Sequence, residues 1–286
     1  MRVATRGAAA LIGILARGLG GMTKTKSCLC LLPLLGMAAV CRAESPALEI
    51  SRGLMAGASY YEAVVALEPL LLGKEKSDAQ MEAYHLADLI SNKLIGEFLL
   101  IAEFEKLPRT TTYPEHLKWE KIVRLNRLGA GITYAPLCGC YAYHHAFLRT
   151  LLERYPDGKY APAAEFYTIR PGRNELAEVE RELKELYAYI KKYPKGKESD
   201  KARLKIARIN DNLWDLLYHG GWPPFSSGDK AGDGKRAEEC RRTAMTLYQG
   251  LLKSRHLSPE DLTDVKERYE GLGALKHSSV YYITYD

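Results

Sequence analysis

Acidic residues are absent from the first 43 positions, which hold six cations: Arg2, Arg6, Arg17, Lys24, Lys26 and Arg42. The whole chain has 41 Lys+Arg against 35 Asp+Glu, a formal net charge of +6. The entire excess therefore sits in the N-terminal segment, and the remainder is neutral. A basic stripe interleaved with aromatics is missing, which disfavours a nucleic-acid partner. A phosphate-binding glycine loop, a Gly-x-Ser-x-Gly elbow, an HExxH helix and a c-type haem motif are also missing, and with them the chemistries those motifs serve. Strands do not alternate with helices, so an α/β enzyme fold is not expected. The densest apolar stretch after the N-terminal segment, Leu94 to Ala102, is too short to span a bilayer and reads as a buried helix face. Catalysis and a bound cofactor are therefore not expected.

The N-terminal segment reads as an export signal. Lys24 and Lys26 form a positive start, Ser27 to Val40 is apolar, and Cys41-Arg42-Ala43 places small residues around a cleavage site. An initiation at Met22 makes this an ordinary leader, and an uncleaved anchor is the alternative. Lipid attachment at Cys41 is the other route to a membrane, although Val40 replaces the small residue usual before a lipidated cysteine. The mature protein is thus expected in the periplasm or outside the cell, or as an outer-membrane lipoprotein. Removal of residues 1–43 leaves three of the six cysteines, Cys138, Cys140 and Cys240.

The rest of the chain is patterned for helices. Five segments follow: 1–43 signal, 44–135 an N-terminal helical region, 136–219 helix pairs, 220–235 a loop, and 236–286 C-terminal helices with a tail. Residues 44–59 show no clear period. Tyr60 to Leu72 is helix-forming, and Ser77 with Gln80 makes a capping box that opens a helix to about Lys106. Residues 108–114 form a linker before a short helix from Glu115 to about Leu128. Helices are expected from Leu137 to Arg154, from Ala161 to Pro171-Gly172, from Asn174 to Lys192 and from Ser199 to Tyr218. Leu176, Val179, Leu183, Leu186, Ile190 and Tyr193 form one stripe, and Ala202, Ile206, Ile209, Leu213 and Leu216 another. Two striped helices joined by a short turn bury their stripes against each other. Ser258-Pro259-Glu260-Asp261 starts the last helix, with an N-cap serine, proline at the first position and acids against the dipole. The tail Ser278 to Asp286 is β-prone.

Two turns match, Tyr155-Pro156-x-Gly158-Lys159 and Tyr193-Pro194-x-Gly196-Lys197, 38 residues apart, with Ala164 and Ala202 at the same place in the helices that follow. Recurrence at this period marks a helical solenoid. Tyr143, Ala146, Phe147, Leu151, Leu152, Tyr155 and Pro156, followed by Tyr160-Ala161-Pro162-Ala163-Ala164, resemble the tetratricopeptide repeats of periplasmic proteins. The resemblance is closest to outer-membrane-assembly lipoproteins and cell-division coordinators, covers residues 137–218, and extends loosely over 60–100. The spacing exceeds the family's usual length of about 34, and its Trp-x-x-Leu-Gly element is absent. The resemblance implies an all-α, TPR-like helical-hairpin solenoid whose groove holds another protein or a cell-wall component. Tyr155 and Tyr193, with the loop aromatics Trp222 and Phe225, are the candidate partner-binding residues.

One constellation suggests a different chemistry. Cys138-Gly139-Cys140 precedes His144-His145, and on a helix Cys140 and His144 share a face. A thiolate and an imidazole could begin a zinc or copper site, or Cys138 and Cys140 could cycle as a dithiol. Packing or a structural disulfide is the expected role. Asp229, Asp233 and Gly234 partly match a calcium loop but lack its bidentate glutamate, and read as a polar loop. Asp215 and His219 read as a surface pair at a helix end. In an oxidising compartment a disulfide within the cysteine set is expected. Counting thiols on the unfolded, unreduced mature protein should find fewer than three; three free thiols would exclude the bridge.

Overall fold

The computed structural model describes residues 45–104, 118–135, 140–219, 225–276 and 283. Residues 44–286 form one compact unit, and its described residues are mostly helical. The described elements run α1 (Pro46–Ala56), α2 (Tyr60–Ala66), α3 (Glu68–Leu71), α4 (Asp78–Phe104), α5 (Lys118–Arg127), β1 (Thr133–Ala135), β2 (Cys140–Ala142), α6 (Ala146–Arg154), α7 (Ala161–Thr168), α8 (Leu176–Lys192), α9 (Lys197–Tyr218), α10 (Lys230–Leu251) and α11 (Pro259–Gly273). None of the described helices is long and apolar enough to cross a membrane.

Two apolar clusters organise the unit. The first gathers α1 to α6 with Ala164 of α7, around Val64, Leu67, Ala87, Ile90, Leu125, Phe147 and Leu151. The second gathers α8 to α11 around Leu186, Ile206, Trp214, Tyr248 and Val265. Helix α7 belongs to both, because Ala164 faces the first cluster while Phe166 packs on the second. Both expected stripes are where the period puts them. Val179, Leu186, Ala202, Ile206, Ile209 and Leu213 are buried, and Leu176, Leu183, Ile190, Tyr193 and Leu216 pack around them.

Helix α4 starts at a junction of four segments. Ser77 Oγ accepts the Gln80 N–H at 3.1 Å, as a capping box requires. The reciprocal half of the box is not used. The Gln80 amide donates instead to the carbonyls of Leu70 and Gly73, at 2.9 and 2.5 Å, and so satisfies the end of α3. The Ser77 N–H donates to the Tyr155 hydroxyl at 2.9 Å, and that hydroxyl donates to Gln80 Oε1 at 2.6 Å. The start of α4 is thereby tied to the end of α6.

The matched turns have the same backbone. Tyr155 ends α6 at φ −135°, ψ 62°, and Tyr193 ends α8 at φ −121°, ψ 80°. Each N–H donates to the carbonyl four residues back, at 2.7 and 2.8 Å. The glycines serve different needs. Gly196 has φ +120° and open space around it, whereas a Cβ on Gly158 would lie 2.5 Å from Met81 Sδ. The same motif thus buys backbone freedom in one turn and close approach to α4 in the other.

Several expectations are corrected. Residues 46–56 form α1 despite the weak period, with Pro46 in its first turn and Leu48 and Ser51 buried. Tyr60 to Leu72 is two helices, α2 and α3, broken at Leu67 before Pro69. The helix expected from Leu137 begins at Ala146. Ahead of it β2 pairs antiparallel with β1, with Tyr134 opposite Tyr141. The side chain of Asn126 brackets Ile132, donating to its carbonyl at 2.9 Å and accepting its N–H at 2.7 Å, which sets the chain up for pairing. Helix α10 begins at Lys230, inside the expected loop, because Asp229 accepts the Ala231 N–H as its cap. Of the β-prone tail only Ile283 is described; it is buried, and its carbonyl accepts the Asn174 N–H at 2.8 Å.

Helix α9 is the axis of the second cluster and buries five polar residues, Ser199, Asn210, Asp211, Asn212 and Asp215. Asp215, expected at the surface, is fully buried with His219 Nε2 at 3.5 Å. Arg268 of α11 reaches Asp211 at 2.5 Å and Asp264 at 2.8 Å, and Tyr248 of α10 donates to Asp211 at 3.3 Å. Burial pushes the Asp211 carboxyl up, against the pull of Arg268. Arg268→Met should lower unfolding free energy by about 3–5 kcal/mol, because it strands a buried carboxylate. Adding Asp211→Leu should restore much of the loss. Chemical denaturation of both variants checks this; equal losses would show that the pair is not the source.

Candidate binding cleft

The helix pair α6–α7 and the pair α8–α9 leave a cleft between them. It consists of two adjoining concavities, of about 720 Å³ and about 400 Å³, that share Phe166, Pro171 and Lys205. Apolar side chains form much of the floor: Phe166, Ile169, Leu204 and Ile209. Six cations line the cleft: Arg149, Arg170, Arg173, Lys201, Lys205 and Arg208. Among the described residues two acids do so, Glu182 and Asp261, and each is ion-paired, with Lys205 and Arg208 respectively. The cleft therefore carries an excess of positive charge inside a chain whose residues 44–286 are neutral overall.

The segment 169–174 places the two arginines Arg170 and Arg173, and Gly172 makes its path possible. A Cβ at Gly172 would lie 2.2 Å from the Glu178 carbonyl oxygen, so only glycine allows the segment to press onto the start of α8. The Gly172 N–H donates to Glu182 Oε2 at 2.7 Å, and the Glu182 side chain is buried. The same carboxylate pairs with Lys205 at 2.5 Å, so one buried acid fixes both the segment and a cleft lysine.

A polar cluster stands at the α4 end. Asp88 is 2% exposed. It accepts the Tyr143 hydroxyl at 2.6 Å, faces His145 Nδ1 at 3.1 Å and accepts from Asn92 Nδ2 at 3.3 Å. Burial, then the Asp88 charge, push the Tyr143 hydroxyl pKa far up, so it stays a donor. His145 holds a left-handed backbone, φ +54° and ψ 41°, immediately before α6, a conformation uncommon away from glycine. Its ring stacks on Tyr167, with centroids 5.7 Å apart. Lys201 donates to the Tyr167 hydroxyl at 2.7 Å, and its Nζ lies 5.3 Å from the ring centroid.

The chain matches no protein-family model, no curated protein and no solved structure.

The residues singled out from sequence fall in different places. The Tyr155 hydroxyl is occupied by Ser77 and Gln80, and that of Tyr193 donates to Glu165 Oε1 at 2.9 Å. Tyr155 braces the end of α6 against the start of α4, and Tyr193 braces the end of α8 against α7. Phe225 is completely buried in the second cluster and presents no anchor to a partner. Trp222 and Cys138 lie outside the described residues. Cys140 is on β2 and His144 lies between β2 and α6, so the shared helix face that would have joined them does not exist. Among the described residues no three His, Cys, Asp or Glu side chains gather as a metal site would need. Asp233 accepts from the hydroxyls of Ser226 and Ser227, at 2.6 and 2.7 Å, and these donors hold its pKa down. That carboxylate closes the turn before α10. Asp88 was missed. Its signal was a carboxylate in register with buried positions, since Tyr84, Asp88, Ser91 and Ile95 share one face of α4 and all are buried.

Cys240 is a free thiol, 7% exposed, whose pKa burial pushes up to about 11. Thiolate is the reactive form. Alkylation of Cys240 by iodoacetamide at mildly alkaline pH should run at least about tenfold slower in the native protein than in the unfolded chain. Equal rates would contradict its burial against Tyr187 and α9.

Proposed function

We propose that this chain is an exported binding module of the cell envelope, built on TPR-like helix pairs, that holds an acidic peptide segment of a partner protein in the cleft. On this reading it binds rather than turns over its partner. The leader-like segment 1–43 supports export, to the periplasm or beyond, or to the outer membrane if Cys41 is lipidated. The matched turns at Tyr155 and Tyr193, with their shared backbone and their shared use as braces, support the repeat.

The observation that carries the binding reading is the charge of the cleft: six cations against two acids, with both acids already paired. Such a concavity raises the local concentration of anionic segments and repels basic ones. The apolar floor around Phe166, Ile169 and Leu204 gives an acidic segment with interspersed apolar residues something to bury.

Short synthetic peptides with the same apolar residues, differing only in glutamate or lysine at the other positions, test this by fluorescence anisotropy against the full chain. The glutamate peptide should bind, and weaken as salt rises from about 50 to 200 mM. Arg149→Glu with Arg170→Glu should weaken it by about tenfold or more. Equal binding of the lysine peptide, or an unchanged affinity in the double variant, would reject the acidic-segment reading.

A further inference from the structure

The turn between α6 and α7 is seated on α4 by a row of contacts that ends at His85. Gln80 accepts the Tyr155 hydroxyl, Gly158 lies close against Met81, and Glu82 pairs with Lys159 at 3.6 Å. His85 then stacks on Tyr160, the residue before α7, with ring centroids 4.2 Å apart and planes 16° apart. These contacts aim α7, whose Phe166, Tyr167 and Thr168 line the cleft.

The His85 contact is the one in this row that depends on the charge of a histidine ring. Nδ1 is buried, and no hydrogen-bond partner reaches it among the described residues. Protonation puts a hydrogen on both ring nitrogens, whichever one carried it before. It therefore creates a buried N–H without an acceptor and a cation on a half-buried ring. Glu82 and Asp88 flank the ring on α4, Lys159 faces it from the turn, and Glu198 faces it from the first turn of α9. Glu82 is shared between Arg52 and Lys159, and Asp88 is taken up by Tyr143, His145 and Asn92. Lys159 repels a second cation, and its Nζ already lies 4.7 Å from the Tyr160 centroid. Burial outweighs the pull of the three carboxylates and lowers the His85 pKa. The seated form is thus unpenalised above about pH 6.5, where a solvated histidine titrates. As pH falls below that, the penalty grows until the lowered value is passed.

We propose that His85 is an acid-sensitive latch: protonation of its ring unseats the start of α7 from α4, loosens that wall of the cleft and releases the bound segment. The identity of the segment rests on the acidic-peptide reading, whereas the latch is a property of the fold alone.

Hydrogen exchange of the α7 amides in the full chain, corrected for the intrinsic effect of pH, reads the latch without any ligand. Protection of α7 should fall several-fold, up to about tenfold, between about pH 7.5 and about pH 5.5, while α10 keeps its protection. His85→Phe keeps a ring on Tyr160 and removes the titration, so the fall should disappear. If His85→Phe does not fold, His85→Gln and an NMR titration of the His85 ring carry the test; a midpoint at or above about 6.5 would overturn the latch. An unchanged α7, an equal fall in α10, or the same fall in the variant would each overturn it too. Affinity for the glutamate peptide should drop several-fold over the same interval relative to His85→Phe. Peptide binding that responds to pH alike in both proteins would overturn the release. Absence of peptide binding at any pH, with exchange as expected, would instead reject the acidic-segment reading and leave the latch standing.

Discussion

Asp211 is a carboxylate with almost no contact with water, and the C-terminal half of the molecule is arranged around giving it a counter-charge. A buried carboxylate needs a counter-charge, and for Asp211 it comes from a neighbouring element. Arg268 delivers it from α11, Tyr248 adds a hydroxyl from α10, and Asp264 holds the guanidinium from its far side. Arg208, one turn before Asp211 on α9, binds both Asp264 and Asp261 and closes the network. Helices α9, α10 and α11 must therefore dock in one register. Apolar packing alone would tolerate small slips; a buried ion pair does not. Because α9 also forms one wall of the cleft, through Lys201, Leu204, Lys205 and Arg208, the same network holds that wall in place.

In the N-terminal half, neutral hydrogen bonds hold the start of α4. Tyr155 and Gln80 satisfy the first turn of α4, the end of α3 and each other, in a space that Gly158 keeps narrow against Met81. Tyr193, 38 residues later, makes its own brace on Glu165 of α7. Conservation of a tyrosine and a glycine between the two turns thus hides a division of labour. Each tyrosine ties its helix end to an earlier helix; one glycine answers a positive φ and the other a steric limit.

Where the halves meet, charged groups gather around an apolar floor, and that seam is the cleft. Glu182 and Gly172 fold the segment after α7 onto α8, which turns Arg170 and Arg173 toward the concavity. Asp88 reaches through from α4 to hold Tyr143 and His145. A buried acid therefore organises each end, and neither acid is free to neutralise the arginines around it.

Local period determined most of what the sequence could determine. The helices α8, α9 and α11, their stripes and the serine cap of α11 follow from residues within a few positions of one another, and so they were legible. The short hairpin and α1 were not, because a three-residue strand or a weakly periodic helix is stabilised by what it packs against. Asn126 bonding Ile132, or Leu48 entering the first cluster, has no signature in its own neighbourhood. The site was the least legible part. Tyr155 and Tyr193 stood out because they recur, and recurrence here reflects bracing. Asp88 lies 57 residues from His145 in the chain, and the cleft cations come from three separate elements. The sequence by itself determined that the chain is helical, paired and neutral beyond its first 43 residues. Only the tertiary structure decided that two buried acids would be matched from within and that Arg149 and Arg170 would be left unpaired in one concavity, because charge balance in a fold is settled by distances between elements and not by spacing along the chain.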